Sequence, residues 1–468
     1  MIGIKKIAVH LPYYRLSRKT IGTAWGAKAG KGERRVANFD EDSITMAIEA
    51  GFKCLQRENR DKIKGLYFAS TTAPYWEKQC AAICAGVLDL PPGIRTGDFA
   101  GSTRSGTNAL IAAADAVKAG LGDILIITGD CRPALPRSAQ EGIMGDGGAA
   151  VLLGNSDVIC HIKDSYSAWN DITDVWRMDK DNFVKTWEDR FIVQMGYEKD
   201  ITHSIAAIME RNNLQADRVD KLVMYSPEGT SHQKVAKKLG FKPEQIQDSL
   251  VDRTGNTGSA QAFMMLASAL AAAKPGETIL WANFGSGSDT LLLTVSSEIE
   301  KRGNSSVTGL TLEAGKELSY QKYLAFRGFV QTPQELIRLF PSASVMWRTR
   351  KWSAALHGSK CNVCGLITFP IQRVCYSCKS RDNFEEFPLS DKKGKVFSYS
   401  LDNLAGGPNP PTIQTIVETE VGARIYCLMT DCEPEEIKIG APVEMTYRRF
   451  HEEAGFYNYY WKCRPMGT

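Results

Sequence analysis

The first 300 residues alternate between apolar runs of strand length and longer alanine-rich stretches with helical spacing. Gly65–Ser70 and Asp123–Thr128 predict strands, and Asn108–Lys118 between them predicts a helix. The run from Ile124 to Ile127 is apolar at every position, which is typical of a strand covered on both faces. This alternation predicts an α/β fold built in layers.

One order of elements occurs twice in this region. The first copy reads SGTNALIAAADAVKAGLGDILIITGD and then GDGGAAVLLG, and the second reads TGSAQAFMMLASALAAAKPGETILWANFGSGSDTLLLTV. Each copy passes from small residues through an alanine-rich helix, a Lys-Ala-Gly or Lys-Pro-Gly stop and a buried strand to a glycine-rich turn and a final strand. We interpret this as a duplication whose two helices are buried. The alternative is that no duplication took place and that the two segments are similar only because all α/β units share this order of elements.

The chain changes character after residue 300. Leu318–Gly328 and Pro333–Phe340 predict short helices, and from His357 onward short β-runs are punctuated by Cys, Pro and Gly. The predicted domains are an α/β domain at 1–330, a helical linker at 331–356, a cysteine-bearing ribbon at 357–385 and a β-barrel at 386–468.

Composition narrows the class of protein. A chain of 468 residues with 43% hydrophobic and 24% charged residues suits two or three globular domains. The net charge of +4 comes without a basic block, which argues against nucleic-acid binding. No apolar run reaches the ~18 residues of a membrane span, and the N-terminus lacks a signal-peptide pattern. Twelve cysteines in such a chain indicate reduced thiols or metal ligands, so we expect a cytoplasmic protein.

The strongest local chemical signal is a pair of Cys-x-x-Cys motifs. Cys361 and Cys364 form the first pair, and Cys375 and Cys378 form the second. Each pair can offer two thiolates to one ion, and two pairs complete a closed tetrahedral site, so we predict structural zinc. The alternative, redox Cys-x-x-Cys chemistry, lacks the strand-to-helix setting that such motifs need.

Short strands follow these cysteines. They are predicted at Gly394–Leu401, Ile413–Glu418, Ala423–Met429 and Pro442–Arg448, and they favour a five-stranded barrel of the OB type. The stretch CNVCGLITFPIQRVCYSCKS, with GKVFSYS and IGAPVEMTYRRF after it, resembles the zinc-ribbon/OB-fold family that accompanies thiolase-like proteins. The resemblance implies a module that docks on a condensing enzyme and helps to shape its acyl-CoA site. Single-stranded nucleic acid is the alternative ligand of an OB fold, but no basic, aromatic groove is evident.

The first 330 residues resemble hydroxymethylglutaryl-CoA synthase, particularly its archaeal form, and more distantly the ketoacyl synthases. The segments that carry the resemblance are EDSITMAIEA (41–50), GDFAGSTRSGTNAL (97–110), GDGGAAVLLG (145–154), VAKKLGF (235–241), GNTGSA (255–260), FGSGSD (284–289) and LSYQKYLAFRG (318–328). The resemblance implies a duplicated, five-layer thiolase-like fold, coenzyme A as part of the substrate, and a homodimer, with a larger complex with other acyl-CoA enzymes left open.

That family uses a cysteine nucleophile at the N-terminus of a buried helix, with a His, an Asn and a Glu. Asp98 and the run Arg104–Thr107 set the register and place Thr103 where the family has its cysteine. A threonine hydroxyl is far less acidic than a thiol, whose pKa is about 8.5, and it needs a strong adjacent base to form an acyl-enzyme.

The other catalytic positions are altered too. Tyr225 stands at the position of the family's histidine and Thr71 near that of its glutamate, so only the asparagine is retained, as Asn256. Backbone N–H groups near Thr103 and Ser102, and the loop with Gly285, Gly287 and Ser288, are candidates for oxyanion and acyl binding. His232 is either a repositioned base or a loop histidine at the surface.

These changes favour chemistry that needs no nucleophile. Aldol bond making or breaking at a β-hydroxyacyl-CoA requires an oxyanion site and one group that moves the hydroxyl proton, a role that suits Tyr225. The alternatives are a Claisen-type synthase or acyltransferase in which Thr103, Ser102 or a partner's cysteine is the nucleophile, and a non-catalytic acyl-CoA-binding scaffold.

Overall fold

A computed structural model describes residues 1–28, 30–333 and 342–467. These residues form two units. The first contains Met1–Ala37, Asp42–Ala85 and Leu90–Tyr320, and the second contains Asn38–Glu41, Gly86–Asp89 and Gln321–Thr468. The predicted helix Pro333–Phe340 lies almost wholly outside the described residues. No helix of the described chain is long and apolar enough to cross a membrane.

The first unit is a mixed α/β unit. Its strands are β1 (Gly3–His10), β2 (Tyr14–Ser17), β3 (Glu33–Val36), β4 (Ile63–Ala69), β5 (Arg95–Phe99), β6 (Asp123–Cys131), β7 (Asp146–Gly154), β8 (Cys160–Trp169), β9 (Val175–Trp176), β10 (Lys185–Thr186), β11 (Lys221–Met224), β12 (Thr278–Phe284), β13 (Gly287–Val295), β14 (Val307–Thr308) and β15 (Lys316–Glu317). Its helices are α1 (Arg18–Ala24), α2 (Ser43–Leu55), α3 (Cys80–Val87), α4 (Ser105–Lys118), α5 (Asp189–Phe191), α6 (Lys199–Arg211), α7 (Ser231–Lys238), α8 (Val251–Thr254), α9 (Gln261–Ala272) and α10 (Glu298–Arg302), with a π-helical turn at Ile192–Glu198. Helix α11 (Tyr320–Phe326) begins at the last residue of the first unit and otherwise belongs to the second.

The sheet of the first unit confirms the duplication. Its strand order is β11-β12-β13-β8-β1-β7-β6-β4-β5, with β14 beside β1. In one half β4 runs parallel to β6 and β6 antiparallel to β7, and in the other β11 runs parallel to β12 and β12 antiparallel to β13. Helices α4 and α9 precede the equivalent strands β6 and β12, as the sequence repeat predicts.

The side chains of β12 alternate between two cores because both faces of the strand are covered. Ile279 and Trp281 belong to a core shared with α4 and α9, and the indole N–H of Trp281 donates to the Ala262 carbonyl at 3.0 Å. Leu280 and Phe284 belong to a second core with α6. Helix α2 packs on β6 and β7 of the other half. The two halves of the ten-stranded sheet lie on opposite sides of α4 and α9, since residues of both halves share one core with these helices. The order of layers is therefore helix, half-sheet, paired helices, half-sheet and helix, which is the predicted five-layer arrangement.

Small residues allow the two central helices to approach closely. A Cβ at Gly106 of α4 would lie 2.5 Å from the ring of Phe263 and 3.0 Å from the Ser259 carbonyl oxygen, on or just before α9. Any larger residue at position 106 would push the two helices apart. Both helices are rich in alanine and nearly uncharged because they are buried against each other at close range.

The second unit contains a ribbon and a barrel. Its elements are α12 (Ala343–Ser353), β16 (His357–Cys361), β17 (Ile367–Thr368), β18 (Phe384–Pro388), β19 (Gly394–Asp402), β20 (Thr412–Thr419), β21 (Arg424–Met429), β22 (Pro442–Glu453) and β23 (Phe456–Pro465). Strands β17, β16 and β18 form a small antiparallel sheet, and β19-β20-β21-β23-β22 close into a barrel. The predicted OB-type barrel is confirmed, and its last strand, β23, is one that the sequence reading missed.

A buried ionic cluster lies inside the second unit. The Arg448 guanidinium contacts carboxylate oxygens of Asp40 at 3.2 Å, Glu41 at 3.1 Å and Asp431 at 2.5 Å, and the Lys462 ammonium contacts Asp40 at 2.8 Å. Burial raises the pKa of Glu41, and it raises the pKa of Asp431 to about 6. Against the same burial, Lys462 and Arg448 hold the pKa of Asp40 below its usual value.

Replacing Arg448 by methionine is expected to destabilise the barrel by about 3–5 kcal/mol, because the guanidinium that contacts three buried carboxylates would be lost. Hydrogen exchange of β22 and β23 amides in the full chain measures this. Arg424→Met, at a half-exposed pair with Glu418, is the control and should cost about 1 kcal/mol or less. Equal losses in the two variants would contradict the expectation.

The same cluster can be tested by the pH dependence of the unfolding free energy that Arg448→Met loses relative to the wild type. Loss of the guanidinium raises the pKa values of Glu41 and Asp431 further, so the folded barrel binds more protons than the unfolded chain above about pH 4. The unfolding free energy of the variant therefore falls as the pH rises, and its deficit against the wild type should be larger at about pH 8 than at about pH 5.

Candidate active site

The structure brings Tyr225 and Asn256 together at the end of two parallel strands. Tyr225 follows β11, and its backbone N–H donates to the Ala282 carbonyl of β12 at 3.0 Å. The Nδ2 amide of Asn256 donates to the Tyr225 hydroxyl oxygen at 2.8 Å. Both side chains are buried. A buried tyrosine hydroxyl that accepts from an amide keeps its own proton available for donation.

Hydrogen bonds fix which way the Asn256 amide points. Its Oδ1 accepts from the Nη2 of Arg132 at 2.7 Å and from the backbone N–H of Gly258 at 3.1 Å, while its Nδ2 also donates to the Pro227 carbonyl at 2.9 Å. Two donors on one side and a carbonyl on the other leave only one assignment of oxygen and nitrogen. The hydrogen bonds therefore orient the Asn256 amide so that its Nδ2 group donates to Tyr225.

Charged groups also surround the Tyr225 hydroxyl. Burial raises the pKa of Tyr225 above its ordinary value, while the Arg132 guanidinium and the Asn256 hydrogen bond lower it and the Asp174 carboxylate raises it. Asp174 immediately precedes β9, and burial raises the pKa of its own carboxyl. The Tyr225 hydroxyl is thus acted on by a cation and by an anion with opposite effects on its pKa.

Thr103 lies two residues before the first residue of α4. Its hydroxyl donates to the Phe284 carbonyl at 2.8 Å, at the end of the same strand that binds the Tyr225 backbone. Ser102 Oγ accepts from the Arg104 backbone N–H at 3.1 Å. A carbonyl oxygen is too weak a base to activate the Thr103 hydroxyl.

The loop with Gly285, Gly287 and Ser288 is held by internal bonds. The N–H of Gly285 donates to the Gly287 carbonyl at 2.9 Å, and the Ser288 hydroxyl donates to the Asp200 carbonyl at 2.9 Å. A Cβ at Gly285 would lie 2.2 Å from Ser102 Oγ and 2.6 Å from Thr103 Oγ1, so this loop reaches Ser102 and Thr103 only because residue 285 is glycine.

Asp130, near the end of β6, links two other segments of the site. Its carboxylate accepts from the Ser70 hydroxyl at 2.8 Å, the Thr71 backbone N–H at 2.7 Å and the Ser259 backbone N–H at 2.7 Å. The Thr71 hydroxyl is buried and has no hydrogen-bond partner among the described residues. The sequence reading missed Asp130, Arg132 and Asp174, although polar residues directly after the buried run Asp123–Thr128 were a usable signal for the first two.

His232 is not a surface residue. It lies on α7 and is only 2% exposed, and its Nδ1 has no hydrogen-bond partner among the described residues. Burial lowers the pKa of His232, while Glu228 and Asp248 raise it. The surface alternative of the sequence reading is therefore wrong, because α7 packs its Val235 side into the α6 core.

Most thiols of the first unit are poor nucleophiles. Burial raises the pKa of Cys54, Cys80 and Cys160 to about 12, and that of Cys84 well above its ordinary value. Cys131, at the end of β6, is the one partly exposed cysteine of this unit among the described residues. Thiolate chemistry at the four buried positions is disfavoured near neutral pH.

The four predicted metal ligands of the second unit converge. All four sulfur atoms lie within 4.8 Å of one another, with Cys361 and Cys378 3.6 Å apart and Cys364 and Cys375 3.6 Å apart. Tetrahedral Zn–S bonds of ~2.3 Å place sulfur atoms about 3.8 Å apart. The donor set and its spacing therefore fit zinc.

Two sequence families match parts of the chain. Residues 209–294 match "3-Oxoacyl-[acyl-carrier-protein (ACP)] synthase III C terminal", and residues 387–448 match "ChsH2, C-terminal OB-fold domain". Among solved structures, hydroxymethylglutaryl-CoA synthase complexed with CoA is similar with a TM-score of 0.65 at 19% identity, covering 73% of this chain and 95% of that one. These matches define a thiolase-like fold followed by an OB-fold domain.

Curated relatives narrow this class to one family. Hydroxymethylglutaryl-CoA synthase of Methanosarcina mazei is 31% identical over 346 residues, which are 70% of this chain and 99% of the relative. The same enzyme of Pyrococcus furiosus is 31% identical over 310 residues, which are 64% of this chain and 88% of the relative. The chain belongs to the hydroxymethylglutaryl-CoA synthase family of the thiolase superfamily, as its motifs predict.

Proposed function

We propose that this protein is an acyl-CoA carbon–carbon bond enzyme that makes or breaks a β-hydroxyacyl-CoA by aldol chemistry, without an acyl-enzyme. The observation that carries the proposal is the Tyr225 hydroxyl, whose oxygen accepts from Asn256 and whose proton is left for a substrate oxygen. The Thr103 hydroxyl, by contrast, is committed to the Phe284 carbonyl. Family membership supports coenzyme A as the carrier of the acyl group.

The proposed step balances with Tyr225 alone as the proton carrier. In the cleavage direction, the tyrosinate takes the β-hydroxyl proton, the bond between the α and β carbons breaks, and its electron pair passes into the thioester enolate. A carbonyl compound leaves, and Tyr225 passes the proton that it took to the α carbon, which gives the shorter acyl-CoA and restores the tyrosinate. In the opposite direction the tyrosinate removes the α proton to form the enolate, and Tyr225 then donates that proton to the carbonyl oxygen that becomes the β-hydroxyl.

The test combines turnover with intact-protein mass spectrometry. We expect cleavage of 3-hydroxy-3-methylglutaryl-CoA or of another 3-hydroxyacyl-CoA in a panel, and no acyl group on the protein after incubation with acetyl-CoA. An acyl adduct on Thr103, Ser102 or Cys131 would overturn the proposal in favour of Claisen-type chemistry. Binding of CoA without turnover of any panel member would favour the non-catalytic scaffold.

We further propose that Cys361, Cys364, Cys375 and Cys378 hold one structural zinc ion. Backbone turns support both pairs, because the Gly365 N–H donates to the Cys361 carbonyl at 2.9 Å and the Lys379 N–H to the Cys375 carbonyl at 2.9 Å. Four thiolates leave no open coordination position, so the ion would stabilise the ribbon and take no part in catalysis.

We propose a homodimer on family grounds, and a cytoplasmic location because the twelve cysteines indicate reduced thiols or metal ligands. Dimers are the usual state of thiolase-like enzymes, and contacts with other acyl-CoA enzymes stay open. Sedimentation velocity tests the homodimer, and a monomer at micromolar concentration would contradict it.

A further inference from the structure

A buried guanidinium lies behind the proposed acid–base tyrosine and has no part in the chemistry described so far. Arg132 follows β6 and is 4% exposed. Its Nη2 donates to the Asn256 side-chain oxygen at 2.7 Å and to the Asn256 backbone carbonyl at 3.4 Å, and its Nε has no hydrogen-bond partner among the described residues. Burial of a charged group without a full set of partners is costly and calls for an explanation.

We propose that Arg132 is a positioning residue for Tyr225, which fixes the orientation of the Asn256 amide and places a permanent positive charge beside the tyrosine oxygen. The expected effect of Arg132 on turnover rests on the proposed function, whereas its effect on Tyr225 does not. The geometry by itself links the guanidinium to Asn256 Oδ1 and, through the same amide, to the Tyr225 hydroxyl.

Two physical effects follow from this arrangement. Without Arg132, Asn256 Oδ1 keeps only the Gly258 N–H as a donor, and the amide is less firmly held with its N–H toward Tyr225. A cation close to a phenol also favours the phenolate, the form that accepts a proton in the cleavage direction. Arg132 and Asp174 are the charged groups with the largest effects on the Tyr225 hydroxyl, and they oppose each other. The titratable Tyr197 also interacts electrostatically with Tyr225, and its hydroxyl donates to the Tyr225 carbonyl at 2.5 Å.

The central measurement needs no substrate. With 3,5-difluorotyrosine at position 225, ¹⁹F NMR follows the ionisation of this one hydroxyl in the full chain. We expect Arg132→Gln to raise the pKa of this group by about one to three pH units, and Arg132→Lys, which keeps the charge, to raise it less. Asp174→Asn should lower it. An unmoved pKa in Arg132→Gln overturns the proposal. Should that variant not fold, Arg132→Met, which also removes the charge, is measured in its place and judged in the same way.

Turnover separates this inference from the proposed function. The substrate is 3-hydroxy-3-methylglutaryl-CoA or whichever other panel member is cleaved. In Arg132→Gln, the pKa that Tyr225 contributes to the kcat/KM–pH profile should shift in the same direction as the pKa measured by NMR. In Arg132→Lys it should return toward the wild-type value. A moved NMR pKa with an unmoved profile would mean that Arg132 positions Tyr225 but that Tyr225 carries no proton in the reaction. An unmoved NMR pKa would reject the role of Arg132 whatever Tyr225 does.

Discussion

Tyr225→Phe is expected to lower kcat for a β-hydroxyacyl-CoA by ~10²–10⁴-fold, the usual contribution of a general acid–base group. The substitution removes only the hydroxyl, since the ring stays in the core that it shares with α6. The Asn256 amide loses its acceptor on Tyr225 but keeps the Pro227 carbonyl, so the site should stay folded. Steady-state kinetics with CoA binding as a parallel measurement separates lost chemistry from lost affinity.

Two further variants rank the neighbouring groups. Thr103→Ala should cost much less than Tyr225→Phe, because the Thr103 hydroxyl only binds the Phe284 carbonyl and the backbone N–H survives. Asn256→Ala should fall between them, since it removes the donor to Tyr225 and leaves Arg132 without its main acceptor. Equal, small losses in all three variants would favour the scaffold, and a larger loss in Thr103→Ala would favour threonine as the nucleophile.

The fold could be predicted because its constraints are local and repeated. Two nearly uncharged helices, each followed by a strand buried on both faces, have few alternatives to central packing, and the contact of Gly106 with Phe263 shows why the helices contain small residues. Strand β23 was missed although its sequence, Phe456–Pro465, is rich in the aromatic residues that favour strands. It forms a tight hairpin with β22, in which Glu453 pairs with Phe456, so a local signal for this strand was present in the sequence.

The candidate site was less predictable because it depends on contacts between distant segments. Tyr225 and Asn256 could be selected from motif register, but Arg132 and Asp174 come from other loops and join them only in the folded chain. The loop with Gly285, Gly287 and Ser288 was predicted as a candidate for oxyanion binding, and within it the Gly285 N–H donates to the Gly287 carbonyl, a contact that the sequence does not reveal. His232 was assigned to a loop because a single histidine carries no sign of the helix that buries it.

Cys375→Ser is expected to reduce the zinc content of the purified chain from about one ion to near zero. The substitution removes one of the four thiolate ligands and puts a serine hydroxyl, a weaker zinc ligand, in its place. Because metal binding in small ribbons is folding energy, with apparent values of ~10–16 kcal/mol in zinc-finger peptides, strands β16 to β18 should also lose their protection against hydrogen exchange. Metal analysis and hydrogen exchange on undenatured, reduced protein measure the two effects.

Ser377→Ala is the matched control, because this residue lies in the same turn between Cys375 and Cys378 and belongs outside the sulfur cluster. It should keep about one zinc per chain and full protection of the ribbon. A wild-type zinc content near zero would refute the structural metal, and zinc retained in Cys375→Ser would mean that three cysteines suffice. The barrel strands β19 to β23 should keep their protection in both variants, since their closed pairing and buried interior do not involve the four cysteines.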